Sequence, residues 1–328
     1  MQVESIFKAL ADPTRLRIMR LLAAMELAVG ELAQVLEQSQ PRVSRHVGIL
    51  CDAGLAERRR EGSWVFLHTP SSAEDNALLD AMIHLLATAE REDAGFAKQC
   101  LEDRRKLAAI RAGREETAQA YFSRHAGDWD ELRQLHSSDE QVEAALLDAL
   151  GDDSLGDLLD IGTGTGRIAE LLSERANKVT ALDKSLEMLK LARAKLQHLP
   201  AGKTELVPGD FTDLPFGEAQ FDTVLLHQVL HFAQEPELVL HEAARVTRGG
   251  GQIAIVDFAT HGHEELRTRH AHARLGFADN QIRQMLREAG YSYRQPVALD
   301  GGELVVKIWI GERKGAALGK PQSKEHTA

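Results

Sequence analysis

The stretch DLLDIGTGTGR, at residues 157–167, sets three glycines directly after an apolar run and an acid. Glycine lets the backbone turn sharply and approach a ligand closely, so a buried strand, this turn and the next helix form one ligand-binding unit. The dinucleotide pattern GxGxxG would need a glycine at position 167, where Arg167 stands. The chain carries GxGxG instead, which points away from a dinucleotide site.

From residue 155 onward, apolar runs that predict strands alternate with amphipathic runs that predict helices. This alternation predicts a doubly wound, Rossmann-like α/β sheet. Residues 291–312 add two strands around Gly301-Gly302, which predicts a closing antiparallel hairpin. A disordered tail is expected at 313–328. The strand candidates are Leu155–Ile161, Lys178–Asp183, Thr204–Asp210, Phe221–Gln228 and Gln252–Phe258, and the helix candidates are Arg167–Arg175, Ser185–Gln197, Glu237–Val246 and Asp279–Ala289.

The first 70 residues follow a different plan. Asp12-Pro13 predicts a helix start, with a capping carboxylate before a proline in the first helical position. A short helix fits Val29–Leu36, a polar turn follows, and Pro41 lies in the first turn of a third helix. Residues 56–68, AERRREGSWVFLH, then predict two strands around a Glu-Gly turn. Helix, short helix, turn, helix and hairpin together predict an α+β winged helix-turn-helix.

A DNA-binding face is predicted on the third helix. Short polar and cationic side chains near a helix N-terminus reach base edges in the major groove, and arginines on a wing strand lie along phosphates. The alternative is a basic face that is merely solvated. The candidate residues are Ser39, Gln40, Arg42, Ser44, Arg45 and His46 on the helix and Arg58, Arg59 and Arg60 on the wing.

The charge distribution permits this role. A net charge of −11 argues against a general nucleic-acid binder. Residues 1–70, however, hold nine Lys/Arg against eight Asp/Glu, so the acidity lies in the rest of the chain. A near-neutral module still binds phosphate when its basic groups share one face.

Residues 71–114 are expected to form a helical dimerisation or linker region. Leu78, Met82, Leu85 and Ala89 make an apolar stripe with little nearby chain to cover it, which favours a partner subunit. Packing on the chain's own first helix is the alternative. The expected domains are therefore 1–70, 71–114 and 115–312, followed by the tail.

Residues 5–68 resemble the ArsR/SmtB family of small winged-helix repressors through FKALADPTRLRIMRLL, VGELAQVLEQSQPRVSRHVGILCDAGL and RREGSWVFL. The resemblance implies a homodimer that binds a palindromic double-stranded DNA operator and releases it when a ligand binds. Arsenic-sensing members carry Cys-x-Cys where this chain has Ala28-Val29-Gly30. No thiolate stands there to ligate a soft metal, and Cys51 and Cys100 stand alone in separate helices. We therefore expect no metal site.

The GxGxG turn behind an acid resembles motif I of class I S-adenosylmethionine (SAM) methyltransferases, and the resemblance covers about 115–312. It implies SAM or its product S-adenosylhomocysteine (SAH) as cofactor. Tyr121 and Trp129, in AYFSRHAGDWDEL, either contact the cofactor or pack against the sheet. By this resemblance Asp160, Gly162, Gly164 and Gly166 form the turn, Asp183 binds the ribose, and Asp210 and Phe211 hold the adenine. It also implies cofactor contacts for Lys184, next to Asp183, and for His227, which ends the strand that faces methyl donor and acceptor.

Methyl transfer from a sulfonium needs positioning above all, sometimes with a general base. His227 and His231 are the base candidates. Two functions stay open: a regulator whose C-terminal domain senses SAM or SAH, or a working small-molecule methyltransferase whose N-terminal domain regulates its own operon. A further cluster fits an acceptor pocket, a metal site or no chemistry at all; it comprises His261, His263, His270 and His272.

Hydropathy, the N-terminal stretch and the cysteines indicate in which cellular compartment the protein is expected. No run approaches the roughly 18 apolar residues that span a bilayer, so no membrane partner is expected. The stretch MQVESIFKAL lacks the basic start and long apolar core of a secretory signal. The two cysteines form no metal or disulfide spacing, as suits a reducing compartment. We expect a cytoplasmic protein.

Overall fold

The structure is a computed structural model that describes residues 2–61, 63–70, 77–125, 139–299 and 303–314. The chain divides into two compact units. The first comprises Met1–Gln119 together with Gly262–Ala271, and the second comprises Ala120–His261 and His272–Ala328. Among the described helices, none is long and apolar enough to cross a membrane.

The N-terminal part of the first unit is a winged helix. Asp12 caps α2 because its Oδ1 accepts hydrogen bonds from the N–H groups of Thr14 and Arg15, at 2.8 and 3.1 Å. A left-handed Glu37, at φ 55°, turns the chain from α3 into α4. The elements are α1 Gln2–Leu10, α2 Pro13–Leu22, β1 Leu27–Ala28, α3 Val29–Leu36, α4 Gln40–Asp52, β2 Glu57–Glu61 and β3 Trp64–His68, with the strands in the antiparallel order β1-β3-β2.

Two helices follow where the sequence predicts one continuous helical stretch. They are α5, Ala77–Glu92, and α6, Ala94–His125, whose last residues belong to the second unit. The chain breaks at Asp93, whose carboxylate accepts hydrogen bonds from the N–H groups of Gly95 and Phe96.

The apolar face of α5 packs within the chain. Leu79, Met82 and Leu86 join the core of the winged helix, as the alternative interpretation of the stripe expects. Of the predicted stripe, Met82 is buried and Leu78 packs against the same core, but Leu85 is 51% exposed and its neighbour Leu86 is buried instead. A buried ion pair between Arg17 and Asp103, at 2.6 Å, also ties α2 to α6.

The second unit is built on a seven-stranded sheet in the order β6-β5-β4-β7-β8-β10-β9. The strands are β4 Gly156–Ile161, β5 Ala176–Asp183, β6 Thr204–Pro208, β7 Phe221–His227, β8 Thr247–Phe258, β9 Val297–Leu299 and β10 Val306–Glu312. The helices are α7 Asp139–Ala149, α8 Arg167–Leu172, α9 Leu186–Leu196, α10 Pro236–Val246, α11 Glu265–Arg269 and α12 Asp279–Glu288.

The sheet confirms the predicted Rossmann-like fold with its antiparallel end. Strands β4 to β8 pair in parallel, and β10 lies antiparallel to both β8 and β9. The hairpin's Gly301-Gly302 turn and most of the predicted tail, from 315 onward, lie outside the described residues. The strand order reverses between β4 and β7, and in such sheets the ligand crevice opens there, beyond the carboxyl ends of the strands.

Candidate functional site

The glycine-rich turn joins β4 to α8 at this crevice. The N–H groups of Gly162 and Thr163 donate to the carbonyl of Leu182 on β5, at 2.8 and 2.9 Å. Gly162 has φ 71°, and a Cβ added there would clash with the side chain of Val229. Any larger residue would therefore strain the backbone and displace the neighbouring loop.

Asp160 lies at the end of β4 beneath the turn and is 1% exposed. Its Oδ2 is buried with no hydrogen-bond partner among the residues that the structure describes. Burial raises the pKa of Asp160 to about 6, and the nearby charge of Asp183 acts in the same direction. A buried acceptor of this kind is suited to a cationic or hydrogen-bond-donating ligand group.

Asp183 ends β5 and braces the turn. Its Oδ2 accepts a hydrogen bond from the N–H of Gly164 at 2.9 Å, and its Oδ1 accepts one from the N–H of Ser185 at 2.8 Å. Burial raises the pKa of Asp183 in spite of these bonds. An ionised carboxylate has about four acceptor positions, so these two bonds leave capacity for a ligand hydroxyl.

The predicted adenine pair lies after β6. Lys184 Nζ donates to Asp210 Oδ2 at 2.8 Å, and Thr212 donates to Asp210 Oδ1 through its N–H and its hydroxyl, at 2.8 and 2.7 Å. Burial raises the pKa of Asp210, but the bonds to Lys184 and Thr212 outweigh it, and the pKa is lowered. Phe211 is half-buried against the core. The two predicted positions therefore combine a charged acceptor with a flat apolar surface.

The two predicted base candidates differ in their surroundings. His227 ends β7 and is half-buried. His231 lies in a short 3-10 helix, Leu230–Phe232, and its side chain is 3% exposed. Its Nδ1 lies 2.8 Å from Oδ1 of Asp257, and its backbone N–H donates to Oδ2 of the same carboxylate at 3.1 Å.

Asp257 is the residue that the sequence interpretation missed. It is fully buried near the end of β8, inside the apolar run IAIVDF. A lone acid in a buried strand needs a hydrogen-bond or charge partner, so the sequence itself indicates that Asp257 has one. The sequence does not identify that partner, because His231 lies on a different element, the 3-10 helix after β7.

The histidines after β8 do not gather at one point. His272 stacks on His231, with ring centroids 4.2 Å apart. His263 instead bonds through Nδ1 to Glu265 at 2.9 Å. Across the described ranges, no group of three or more His, Cys, Asp and Glu side chains is placed to hold a metal ion.

Tyr121 and Phe122 lie in the part of α6 that belongs to the second unit. The ring of Phe122 packs edge-on against Phe232, at 4.7 Å between centroids. Tyr121 is half-buried, and burial raises the pKa of its hydroxyl. Trp129 lies outside the described residues.

Helix α4 presents the predicted DNA-binding face to solvent. Val43, Val47 and Leu50 are buried. His46 is half-buried, with Nδ1 3.7 Å from Asp12 Oδ1. The other helix candidates are exposed, namely Ser39, Gln40, Arg42, Ser44 and Arg45.

The three wing arginines divide into two kinds. Arg58 and Arg60 are exposed on β2. Arg59 lies between them and points to two carboxylates, Glu26 and Glu61, each at 2.9 Å. Contact of Arg59 with DNA stays a prediction, and its geometry favours a role in holding the wing.

A carboxylate fills the stretch where arsenic sensors of the resembled family carry thiols. Glu31 Oε2 accepts a hydrogen bond from the N–H of Ala28 at 2.9 Å, which is the glutamate half of a capping box. Its Oε1 pairs with Arg114 of α6 at 2.8 Å. The stretch therefore begins a helix and anchors α6.

Two family models match the chain. Residues 12–58 match the bacterial regulatory protein, arsR family, and residues 159–255 match a methyltransferase domain. The arsenic resistance transcriptional regulator ArsR1 of Pseudomonas putida is 43% identical over 90 residues, which are 26% of this chain and 67% of that protein.

The methyltransferase relatives are matched over a shorter share of their length. A demethylmenaquinone methyltransferase of Renibacterium salmoninarum is 33% identical over 114 residues, which are 35% of this chain and 46% of that protein. The chain thus spans about half the length of this relative.

A solved structure supports the fold alone. A chain from the complex between the Haloferax volcanii methyltransferase activator Trm112 and a methyltransferase has 20% identity and a TM-score of 0.50, covering 59% of this chain and 97% of that one. The chain thus belongs to the ArsR family through its DNA-binding regulator domain, and it also carries a methyltransferase domain.

Proposed function

We propose that the chain is a homodimeric transcriptional regulator in which SAM or SAH binds the methyltransferase domain and changes the affinity for a palindromic operator. The effector is then the methyl donor or its spent form, and not a metal. A regulator of this kind works in the cytoplasm, where it meets both DNA and SAM.

The observation that carries the cofactor assignment is the buried carboxylate of Asp160. Its Oδ2 has no hydrogen-bond partner within the described residues, and burial raises the pKa of Asp160 although a hydrogen bond from Thr163 lowers it, so the ionised form is only partly compensated. The ammonium group of the methionine part of SAM or SAH supplies a cation of the right sign. Asp183 and Asp210 then offer acceptors to the ribose and adenine, and bound SAM supplies an electrophilic methyl group.

The DNA half of the proposal rests on α4 and the wing. An apolar face fixes α4 in the core, and the side chains suited to base edges and phosphates face solvent. The stretch that holds a metal in arsenic sensors has no thiol here, so a different effector site is required. The methyltransferase domain of the same chain is such a site.

Exposed apolar side chains support the dimer. Val3 and Phe7 on α1 are 47% and 56% exposed, and Leu85 on α5 and Leu101 on α6 are 51% and 44% exposed. Where such large apolar groups adjoin one another, they offer a surface for a further protein chain. We infer a second copy, because a palindromic operator needs two identical modules.

The cofactor assignment is tested by calorimetric titration of the full chain with SAM and with SAH. Saturable binding to the wild-type chain and its loss in Asp160→Asn support the site. A wild-type chain that binds neither compound contradicts it. Unchanged affinity in the variant would leave Asp160 without its proposed role.

Catalysis is a second candidate, and the His231–Asp257 pair favours it. When Nδ1–H of His231 donates its hydrogen bond to Asp257, Nε2 is the nitrogen of His231 that is left to accept a proton, as in other carboxylate-oriented bases. Such a base suits an acceptor that must lose a proton when it is methylated. SAH formation from SAM with panels of phenols and amines tests this, and it should fall in His231→Asn if the pair is catalytic.

A further inference from the structure

A short segment of the methyltransferase sequence belongs to the DNA-binding unit. Gly262–Ala271, which contains α11, is part of the first unit, whereas the flanking residues His261 and His272 belong to the second. The chain therefore leaves the methyltransferase unit after β8, contributes ten residues to the winged-helix unit, and returns.

Arg267 on α11 is the residue that holds this segment in the first unit. Its Nη2 lies 2.6 Å from Oε1 of Glu61, the last residue of wing strand β2. The guanidinium also lies over the ring of Trp64, 4.4 Å from its centroid, at the start of wing strand β3. Both charged side chains are withdrawn from water, with 6% exposure for Arg267 and 1% for Glu61.

A second bond joins the segment to the same place. The backbone N–H of Ser63, between the two wing strands, donates to the carboxylate of Glu264. Glu264 in turn lies 3.6 Å from the guanidinium of Arg267. Both ends of the wing turn are therefore held by α11 and the residue before it.

The wing residues on the DNA side depend on the same carboxylate. Glu61 pairs with Arg59, and Arg59 pairs with Glu26 outside the wing. Arg58 and Arg60, the exposed cations on β2, flank Arg59 along the strand. A change at Arg267 therefore acts on the strand that carries the predicted phosphate contacts, because a buried ion pair is sensitive to loss of either partner.

The residues that directly follow the segment contact His231, the candidate base of the methyltransferase unit. The N–H groups of Ala273 and Arg274 donate to the backbone carbonyl of His231, at 3.0 and 2.9 Å. The ring of His272 stacks on that of His231. His231 follows β7, at the sheet edge where the methyl donor is proposed to bind.

We propose that Gly262–Ala271 is a wing clamp, a segment through which the methyltransferase unit sets the position of the DNA-binding wing. The holding of the wing follows from contacts of this chain alone. The transmission of ligand occupancy through the clamp rests, in addition, on the proposed function. The link between His272, which stacks on His231, and Arg267, which contacts Glu61 and Trp64, is the backbone of the segment itself.

Amide hydrogen exchange in the full-length chain tests the clamp without any ligand. Arg267→Ala is expected to speed exchange of the amides of β2 and β3 by about tenfold. The matched control is Arg269→Ala, an exposed arginine on the same helix, which should leave these rates unchanged. Arg267→Lys keeps the positive charge and serves as a second variant in case Arg267→Ala does not fold. It should give an exchange rate between those of wild type and Arg267→Ala, because lysine lacks the planar group that lies over Trp64.

Operator binding tests the transmission in the same variants. If the wild-type chain changes its operator affinity with SAM or SAH, Arg267→Ala should bring that change below about twofold while calorimetric binding of the same compound stays intact. Equal wing exchange in wild type, Arg267→Ala and Arg269→Ala overturns the clamp. Faster wing exchange in Arg267→Ala, with no effect of either SAM or SAH on the wild-type operator affinity, keeps the clamp and refutes the proposed effector instead.

Discussion

Asp183 and Gly164 are joined by a 2.9 Å hydrogen bond from the glycine N–H to the carboxylate, so one acid fixes the shape of the turn that is proposed to hold SAM. The same carboxylate accepts a hydrogen bond from the N–H of Ser185, which is the N-cap residue of α9. The predicted ribose ligand is thus also the brace of the glycine-rich turn.

Two substitutions separate these roles. Asp183→Ala removes both the brace and the charge, and we expect it to abolish SAM and SAH binding. Asp183→Asn keeps an amide oxygen that accepts from Gly164, so it should retain the fold and lose about tenfold or more in affinity, since charge-assisted bonds to hydroxyls are stronger than neutral ones. Calorimetry measures both, with circular dichroism as the folding control. Wild-type affinity in Asp183→Ala would refute the assignment.

Asp160 gives a prediction about pH and stability. Its pKa in the folded chain is raised from 3.8 to about 6, so the folded chain binds this proton more tightly than the unfolded chain does. The free energy of unfolding therefore decreases as the pH rises from about 4 to about 6 and stays lowered above that window. Asp160→Asn should raise the Tm of the ligand-free chain at pH 7.5 and leave it unchanged near pH 4.

Asp160→Asn should weaken the binding of SAH although it stabilises the ligand-free chain, because ionised Asp160 is needed to pair with the ligand ammonium. For the same reason, the SAH affinity of the wild-type chain should fall as the pH drops below about 6. Glu205→Gln, an exposed acid on β6, is the control for both measurements. A chain that is destabilised by Asp160→Asn at pH 7.5 would show that the carboxylate is a structural group.

Helix α4 is tested by Arg42→Ala and Arg45→Ala. Each should weaken specific operator binding by about tenfold or more, because an arginine that contacts a base edge contributes on the order of 1–3 kcal/mol. Arg193→Ala, on α9, is the control. Fluorescence anisotropy with a labelled operator measures the affinities. Unchanged binding in both α4 variants would contradict the assignment of α4 as the recognition helix.

The wing arginines should separate by salt dependence. Arg58→Ala should reduce the slope of log affinity against log salt by about 1, as expected when one phosphate contact is lost. Arg59→Ala should instead lower the Tm, because it leaves buried Glu26 and Glu61 without one cation. A Tm equal to that of Arg58→Ala would contradict the structural role of Arg59.

Local sequence patterns predicted most of the two folds. Asp12-Pro13 predicts the start of α2, and the spacing of Val43, Val47 and Leu50 predicts the buried face of α4. Such patterns do not predict the position of β10 between β8 and β9. It depends on tertiary contacts, among them a fully buried Trp309 whose indole N–H donates to Asp279 at 2.9 Å.

The site shows the same division. Asp160, Asp183 and the glycines follow from position relative to strands, because parallel strands end at one edge. Pairs between distant elements do not follow from position. His231 and Asp257 lie 26 residues apart, and the bond between Arg267 and Glu61 spans 206 residues. The packing of the elements decides which distant charged residues pair, and the periodicity of the sequence does not indicate these pairs.

The most direct test of the central claim is operator affinity of the full-length chain measured by anisotropy without ligand, with saturating SAM and with saturating SAH. We predict a change of about fivefold or more with at least one of the two compounds, since allosteric coupling between two sites typically changes affinity by at least about that factor. We also predict that the change disappears in Asp183→Ala. Identical affinities in all three conditions, with calorimetric binding of both compounds intact, would contradict the claim that the methyltransferase domain senses the cofactor.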